Sequence, residues 1–148
     1  VIEKIADRGN SNAIKFPRAL MDKDNLEFSF SGLKTSLLYF VKKEHSYNIE
    51  DVVASYQNAI LDVLVTKLVR SIKIKKVNTC IIAGGVAANK CLRNLVNDKL
   101  NNKINVYYPD IALCTDNAAM IAFLAEICFI KGMSSDLDFD VIPNLKLK

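Results

Sequence analysis

The sequence predicts an α/β protein in which a β-α-β-α core follows an N-terminal hairpin and long helices. Three observations predict it. A β-branched and apolar run at 78–83 stops at Gly84-Gly85 and gives way to a helical pattern at 87–100. A second such run, 104–108, precedes another helical pattern at 117–131 that ends before Gly132. Short connections and a right-handed crossover then make the two strands parallel, with helices over at least one face.

The elements justify themselves in order. Residues 1–7 set Val1, Ile2, Ile5 and Ala6 against Glu3, Lys4 and Asp7, a helix with no cap before it, so the chain reads as cut from something longer. Gly9-Asn10-Ser11-Asn12 is a stop-and-turn cluster with Gly9 suited to a helix C-cap. Ile14 and Phe16 alternate before Pro17, and Leu26, Phe28 and Phe30 alternate with polar residues. Asp22-Lys23-Asp24-Asn25 between them offers turn chemistry. This reads as a hairpin whose first strand Pro17 places at an edge. Ser31 is placed to cap a helix carrying Leu33, Leu37, Phe40 and Val41 and closing on Lys42-Lys43. Asn48 is the candidate cap of a longer helix, with Val53, Tyr56, Ile60, Leu64, Leu68 and Ile72 as its apolar stripe. Its basic end, Lys67, Arg70, Lys73, Lys75 and Lys76, reads as solvated surface with only non-specific attraction for RNA. The tail from Met133 reads as an extended surface segment.

Composition sets the outer bounds. With 51% hydrophobic and 24% charged residues over 148 positions, the chain is globular rather than disordered. No purely apolar stretch approaches the roughly 20 residues that span a bilayer, and no signal-peptide pattern is present, so no membrane role and a cytoplasmic location are expected. Cys80, Cys91, Cys114 and Cys128 form no CxxC pair and read as reduced packing residues. A net charge of +4 is compatible with an RNA partner without requiring one.

Three stretches could carry chemistry. In Ala83-Gly84-Gly85-Val86-Ala87-Ala88-Asn89 the glycines permit close backbone approach to a ligand, and the amides at the following helix start offer a place for phosphate. The same pattern also suits a plain strand-to-helix turn. Asn89, in the first helical turn, carries an amide able to bond a nucleobase or ribose, or to act as an ordinary cap. In Cys114-Thr115-Asp116-Asn117-Ala118-Ala119-Met120 the competing role for Asp116 or Thr115 is helix capping. Asp116 and the glycine pair both follow strands of one unit, and open α/β sheets bind ligands at the carboxyl ends of their strands. The third stretch, Phe28-Ser29-Phe30-Ser31-Gly32-Leu33-Lys34-Thr35, is more simply two core phenylalanines and a cap than an anion site assisted by Lys34. The single histidine, His45, has no second histidine to pair with.

In order and spacing, these three stretches, with Leu92-Arg93 and Phe16-Pro17-Arg18, closely resemble the C-terminal half of the TsaD-type tRNA threonylcarbamoyladenosine synthases, formerly called O-sialoglycoprotein endopeptidases or glycoproteases. The resemblance covers essentially the whole chain. It implies one lobe, residues 1–148, of the two-lobed fold shared by actin, Hsp70 and sugar kinases, the N-terminal lobe being absent. It implies that Asn89, beside Gly84 and Gly85, contacts the adenylate part of the ligand and that Asp116 binds the metal, one divalent iron or zinc ion. The remaining metal ligands would be two histidines of a His-x-x-x-His motif in the other lobe, so this piece alone is expected to be inactive. The implied reaction moves threonylcarbamoyl from threonylcarbamoyl-adenylate to the N6 amine of the adenosine next to the anticodon of tRNA, with protein partners of a tRNA-modification complex. The rivals are an ATPase or kinase lobe of the same fold, a non-catalytic interaction lobe, and a metallopeptidase, for which no His-Glu-x-x-His helix is present.

Overall fold

The computed structural model describes residues 2–101, 103–138, 140 and 142. They divide into two compact units, Val1–Cys114 and Thr115–Lys148. In the first unit, helix α1 (Ile2–Ala6), α2 (Ser31–Lys43) and the 27-residue α3 (Ile49–Lys75) precede strand β1 (Thr79–Ile81), a 3-10 turn (Gly85–Ala88), α4 (Lys90–Leu100) and β2 (Asn105–Tyr107). A second 3-10 turn, Ile111–Leu113, follows β2. The second unit contains α5 (Ala118–Ile130), none of whose residues is buried.

The two strands are parallel, as expected, in the register Thr79–Asn105, Cys80–Val106 and Ile81–Tyr107. The sheet is shorter than the two apolar runs suggest. Cys80 and Val106 turn toward α3 and α4, whereas Ile81 and Tyr107 on the other face are exposed.

Helix α3 is the axis of the first unit. Asn48 caps it, its Oδ1 accepting from the amides of Glu50 at 2.8 Å and Asp51 at 3.3 Å, a cap whose loss typically costs about 1 kcal/mol. Lys76, at φ 52°, ends it in the left-handed region. Its first half carries a cluster of Phe16, Leu33, Val52 and Ala59, with Phe40 and Tyr56 edge-on to Phe16. Its second half joins α4 in a cluster of Leu61, Val65, Ile72, Leu92, Val96 and Leu100. Because both clusters and α1 pack on it, the buried positions form more than the single expected stripe. Ile72 is buried, but Val53, Tyr56, Ile60, Leu64 and Leu68 are half-buried, while Val52, Leu61, Val63 and Val65 lie deeper. Among the described residues α3 is also the one helix long and apolar enough to cross a membrane by length and composition. Here it is the core helix of the first unit.

Four expectations are corrected. No strand forms among residues 10–30, so the hairpin is absent. The backbone groups there are claimed by α3 instead. Ser55 Oγ accepts from the Ile14 amide at 3.1 Å, and Lys67 Nζ donates to the carbonyls of Leu20 at 2.7 Å, Asn25 at 3.3 Å and also Glu27. Arg70 donates to the carbonyls of Asn25 at 2.8 Å, Met21 at 3.2 Å and also Asp22. Lys67 and Arg70 are therefore not solvated surface: Lys67 is 1% exposed, its charge met by oxygen dipoles, whereas Lys73, Lys75 and Lys76 are exposed. Gly9 is needed for close approach rather than for a left-handed cap, since a Cβ there would lie 2.0 Å from the Glu50 carbonyl oxygen. Ser31 is the first helical residue of α2, whose N-cap is Phe30 with no side-chain hydrogen bond.

Residues 133–136 have no regular structure and Leu137 is fully exposed. Phe139, Val141 and residues 143–148 of the expected tail lie outside the described residues.

Candidate functional site

The loop after β1 is built on Gly84, whose φ of 90° and ψ of 170° suit glycine and strain any other residue. The expected helix at 87–100 is split in two. Gly85–Ala88 makes one 3-10 turn, opened by the Ala87 amide donating to Gly84 O at 2.9 Å, and Asn89, at ψ 118°, breaks it before α4 begins. Asn89 is the N-cap of α4, its Oδ1 accepting from the Leu92 amide at 2.9 Å. Its Nδ2 donates to Gln57 Oε1 on α3 at 3.1 Å.

The start of α4 is not open to phosphate. Glu3 Oε1 accepts from the Lys90 amide at 2.6 Å and Asn89 takes that of Leu92, so side chains already occupy positions that an anion would use. What remains beside Asn89 is a cavity of about 610 Å³ lined by Tyr56, Gln57, Ile60, Gly85, Val86 and Asn89 among others. It is open to solvent on one side, and Ile2 and Glu3 of α1 also line it, the Glu3 carboxylate being engaged by the Lys90 amide.

Arg93 joins the loops at the carboxyl ends of both strands. Its Nε donates to Ala87 O at 2.7 Å, its Nη2 to Pro109 O at 3.0 Å and to Cys114 Sγ at 3.5 Å, and its guanidinium lies 4.8 Å from the Tyr108 ring centroid. Burial, with the Cys80 thiol adding, pushes the Tyr108 phenol up, while Arg93 opposes the shift. Five donors on a planar fork let one side chain hold two loops. From the sequence Arg93 is legible only as part of the Leu92-Arg93 motif, because its partners are mainly backbone carbonyls, which no residue type advertises.

Asp116 does not cap α5. That role falls to Asn117, whose Oδ1 accepts from the Met120 amide at 3.0 Å while its Nδ2 donates to Thr115 O at 2.9 Å. The Asp116 side chain is exposed, and no hydrogen bond or ion pair engages it among the described residues. Among those residues, no group of three or more His, Cys, Asp and Glu side chains could hold a metal ion. A catalytic transition metal needs about three protein ligands, and Asp116 by itself supplies one carboxylate.

A sequence model of TsaD, described as tRNA N6-adenosine threonylcarbamoyltransferase, matches residues 1–123. The chain belongs to the TsaD family. It is 46% identical over 151 residues to a protein of Clostridium botulinum (strain Kyoto / Type A2) named tRNA N6-adenosine threonylcarbamoyltransferase, covering 99% of this chain and 44% of that one. Proteins of the same name from Clostridium kluyveri (strain NBRC 12016) and Clostridium novyi (strain NT) are also 46% identical, over 99% of this chain and 45% of theirs. The chain thus spans under half the length of these TsaD relatives.

The Phe28–Thr35 stretch of this TsaD chain departs from the two core phenylalanines and the Ser31 cap expected of it. Phe28 is 53% exposed rather than a core residue, stacked on Phe30 with centroids 6.2 Å apart and facing Lys67 Nζ at 5.7 Å. Lys34 and His45 are exposed. All four cysteines are free; Cys80 and Cys91 pack against the α3–α4 cluster and Cys114 is buried. Burial raises the Cys80 and Cys91 thiols above their ordinary value, with Asp7 and then Glu3 adding to the effect at Cys91.

Proposed function

We propose that the complete protein transfers threonylcarbamoyl from threonylcarbamoyl-adenylate to the N6 amine of the adenosine next to the anticodon of tRNA, and that this chain furnishes the adenylate-facing side of the site. One observation carries the reading: Asn89 and Gly85 line a single cavity beyond the carboxyl end of β1, in a chain that belongs to the TsaD family. In this reading the chain is part of a two-lobed fold of the actin, Hsp70 and sugar-kinase type. Asn89 donates to an acceptor of the adenylate, and the turn at Gly84-Gly85 brings backbone close to it.

In the reaction the adenosine amine attacks the threonylcarbamoyl carbonyl carbon, a C–N bond forms, the C–O bond to the phosphate breaks, and AMP leaves as the amine loses a proton. Asp116, free of the capping role, would be one carboxylate ligand of a divalent iron or zinc ion whose other ligands lie outside this sequence. When bound, such an ion stabilises negative charge developing on the acyl phosphate. Protein partners of a tRNA-modification complex belong to the same proposal.

The test gives the complete protein threonylcarbamoyl-adenylate and tRNA, and measures AMP release together with modified adenosine. Stoichiometric release and modification are expected. Consumption of ATP with no transfer would replace this reading by that of a phosphoryl-transfer lobe of the same fold.

A further inference from the structure

We infer that Gln57 is a positioning residue for Asn89, fixing the amide so that the pair presents N–H donors to a ligand in the cavity. The inference rests on the adenylate reading for the identity of that ligand, but not for the geometry. The polarity of the network follows from one backbone group. The Leu92 N–H can only donate, so the atom of Asn89 facing it at 2.9 Å is the oxygen. The amide nitrogen of Asn89 then faces Gln57 at 3.1 Å, and the Gln57 atom that meets it must be an acceptor, Oε1. Both side-chain oxygens are thereby committed inside the protein. What is left over is one N–H of Asn89 and the Nε2 amide of Gln57, for which no partner exists among the described residues.

Both residues line the same cavity, and Gln57 is only 9% exposed. Among the described residues no buried side-chain nitrogen or oxygen lacks a partner, so these unspent N–H groups open onto the cavity, where a ligand acceptor can take the place of water. The matching ligand chemistry is acceptor-rich: purine ring nitrogens and ribose oxygens fit, and a second ammonium or amide donor does not. Gln57 comes from α3 and Asn89 from the start of α4, so the hydrogen bond also sets how far the cap can swing from the cavity.

The experiment compares the complete protein with Gln57→Met, which keeps the bulk and loses the acceptor, and Gln57→Glu, which keeps an acceptor. Asn side-chain amides are labelled with 15N, and AMP affinity is measured by calorimetry with thermal melts alongside. In Gln57→Met the Asn89 side-chain amide signals should shift and lose protection, and the Kd for AMP should rise about tenfold, the factor that 1.4 kcal/mol represents. Gln57→Glu should keep the Asn89 signals near their wild-type positions. Unchanged Asn89 signals in Gln57→Met would overturn the inference, even if the melt drops, because packing loss alone would then account for the variant. Should wild type bind no AMP while the Asn89 signals still respond to Gln57→Met, the adenylate reading falls and the positioning stands.

Discussion

The two strand-to-helix junctions each open a helix with an asparagine cap, yet they treat their candidate site residues in opposite ways. After β1 the cap is the candidate residue itself: Asn89 holds the first turn of α4 and is tied to Gln57. After β2 the cap is the neighbour, Asn117, and Asp116 is left with no structural task among the described residues. A residue that caps and binds cannot be removed without disturbing the helix it starts. A residue relieved of capping is free to be selected for what it binds. Asn89 should therefore couple stability to ligand affinity, and Asp116 should not.

The largest effect that would break this contrast concerns Asp116. In the complete protein Asp116→Ala should lower threonylcarbamoyl transfer by two orders of magnitude or more, on the order of what removing one electrostatic contributor costs, with bound metal lost and the melting temperature unchanged. Single-turnover assays and metal analysis check it, and full activity with full metal content in Asp116→Asn would end the ligand assignment. Next comes Asn89→Asp. Aspartate caps as well as asparagine, so the first turn of α4 should hold, but it can donate neither to Gln57 Oε1 nor to a ligand acceptor, and the Kd for AMP should rise about tenfold or more. A loss of stability without loss of affinity would make Asn89 a cap and nothing else. Smaller is Asn117→Ala, expected to cost about 1 kcal/mol of helix stability while leaving AMP affinity alone, as read by melts and calorimetry. Smallest is a pH effect. Because burial holds the Cys91 and Cys80 thiols protonated beyond their ordinary range, alkylation of the native protein at neutral pH should be slow at both and should accelerate on unfolding. Any stability they contribute is present below the unfolded thiol pKa and declines as pH rises toward the folded one.

What the sequence made legible was local. Asn48 before Glu50 and Asp51 announced a cap and is one, and the two β-branched runs announced parallel strands and became them. The Gly-Gly pair marked a turn, and Gly84 bears this out through its positive φ. What stayed illegible depended on partners far away in the chain. Alternation in Leu26, Phe28 and Phe30 looks like a strand, but the Glu27 carbonyl inside that run is taken by Lys67, and the carbonyls of Leu20, Met21 and Asn25 before it are held by Lys67 and Arg70, more than forty positions on. Tertiary hydrogen bonding overrode a period-two pattern. The same long-range claim turned Lys67 and Arg70, read as solvent-facing with the rest of the basic helix end, into anchors for that segment, while Lys73, Lys75 and Lys76 remain exposed. At the site, the choice between Asp116 and Asn117 as cap turns on one residue of helix boundary, which composition cannot resolve. The role of Gln57 gave no signal at all, since a glutamine inside a helix has no distinctive spacing.

The burial of Lys67 gives the molecule a chemical clock. Amine-directed acylating reagents need an accessible nitrogen with a free lone pair, and this one is 1% exposed with its protons directed at the carbonyls of Leu20, Asn25 and Glu27. Lys73 and Lys75, on the same helix, stand in solvent. A short pulse of reagent would mark those two at once and spare Lys67 for as long as the segment around it stays seated. The lag between the two labelling rates thus reports how often that segment lifts away from α3, a local opening too small for a global melt to register.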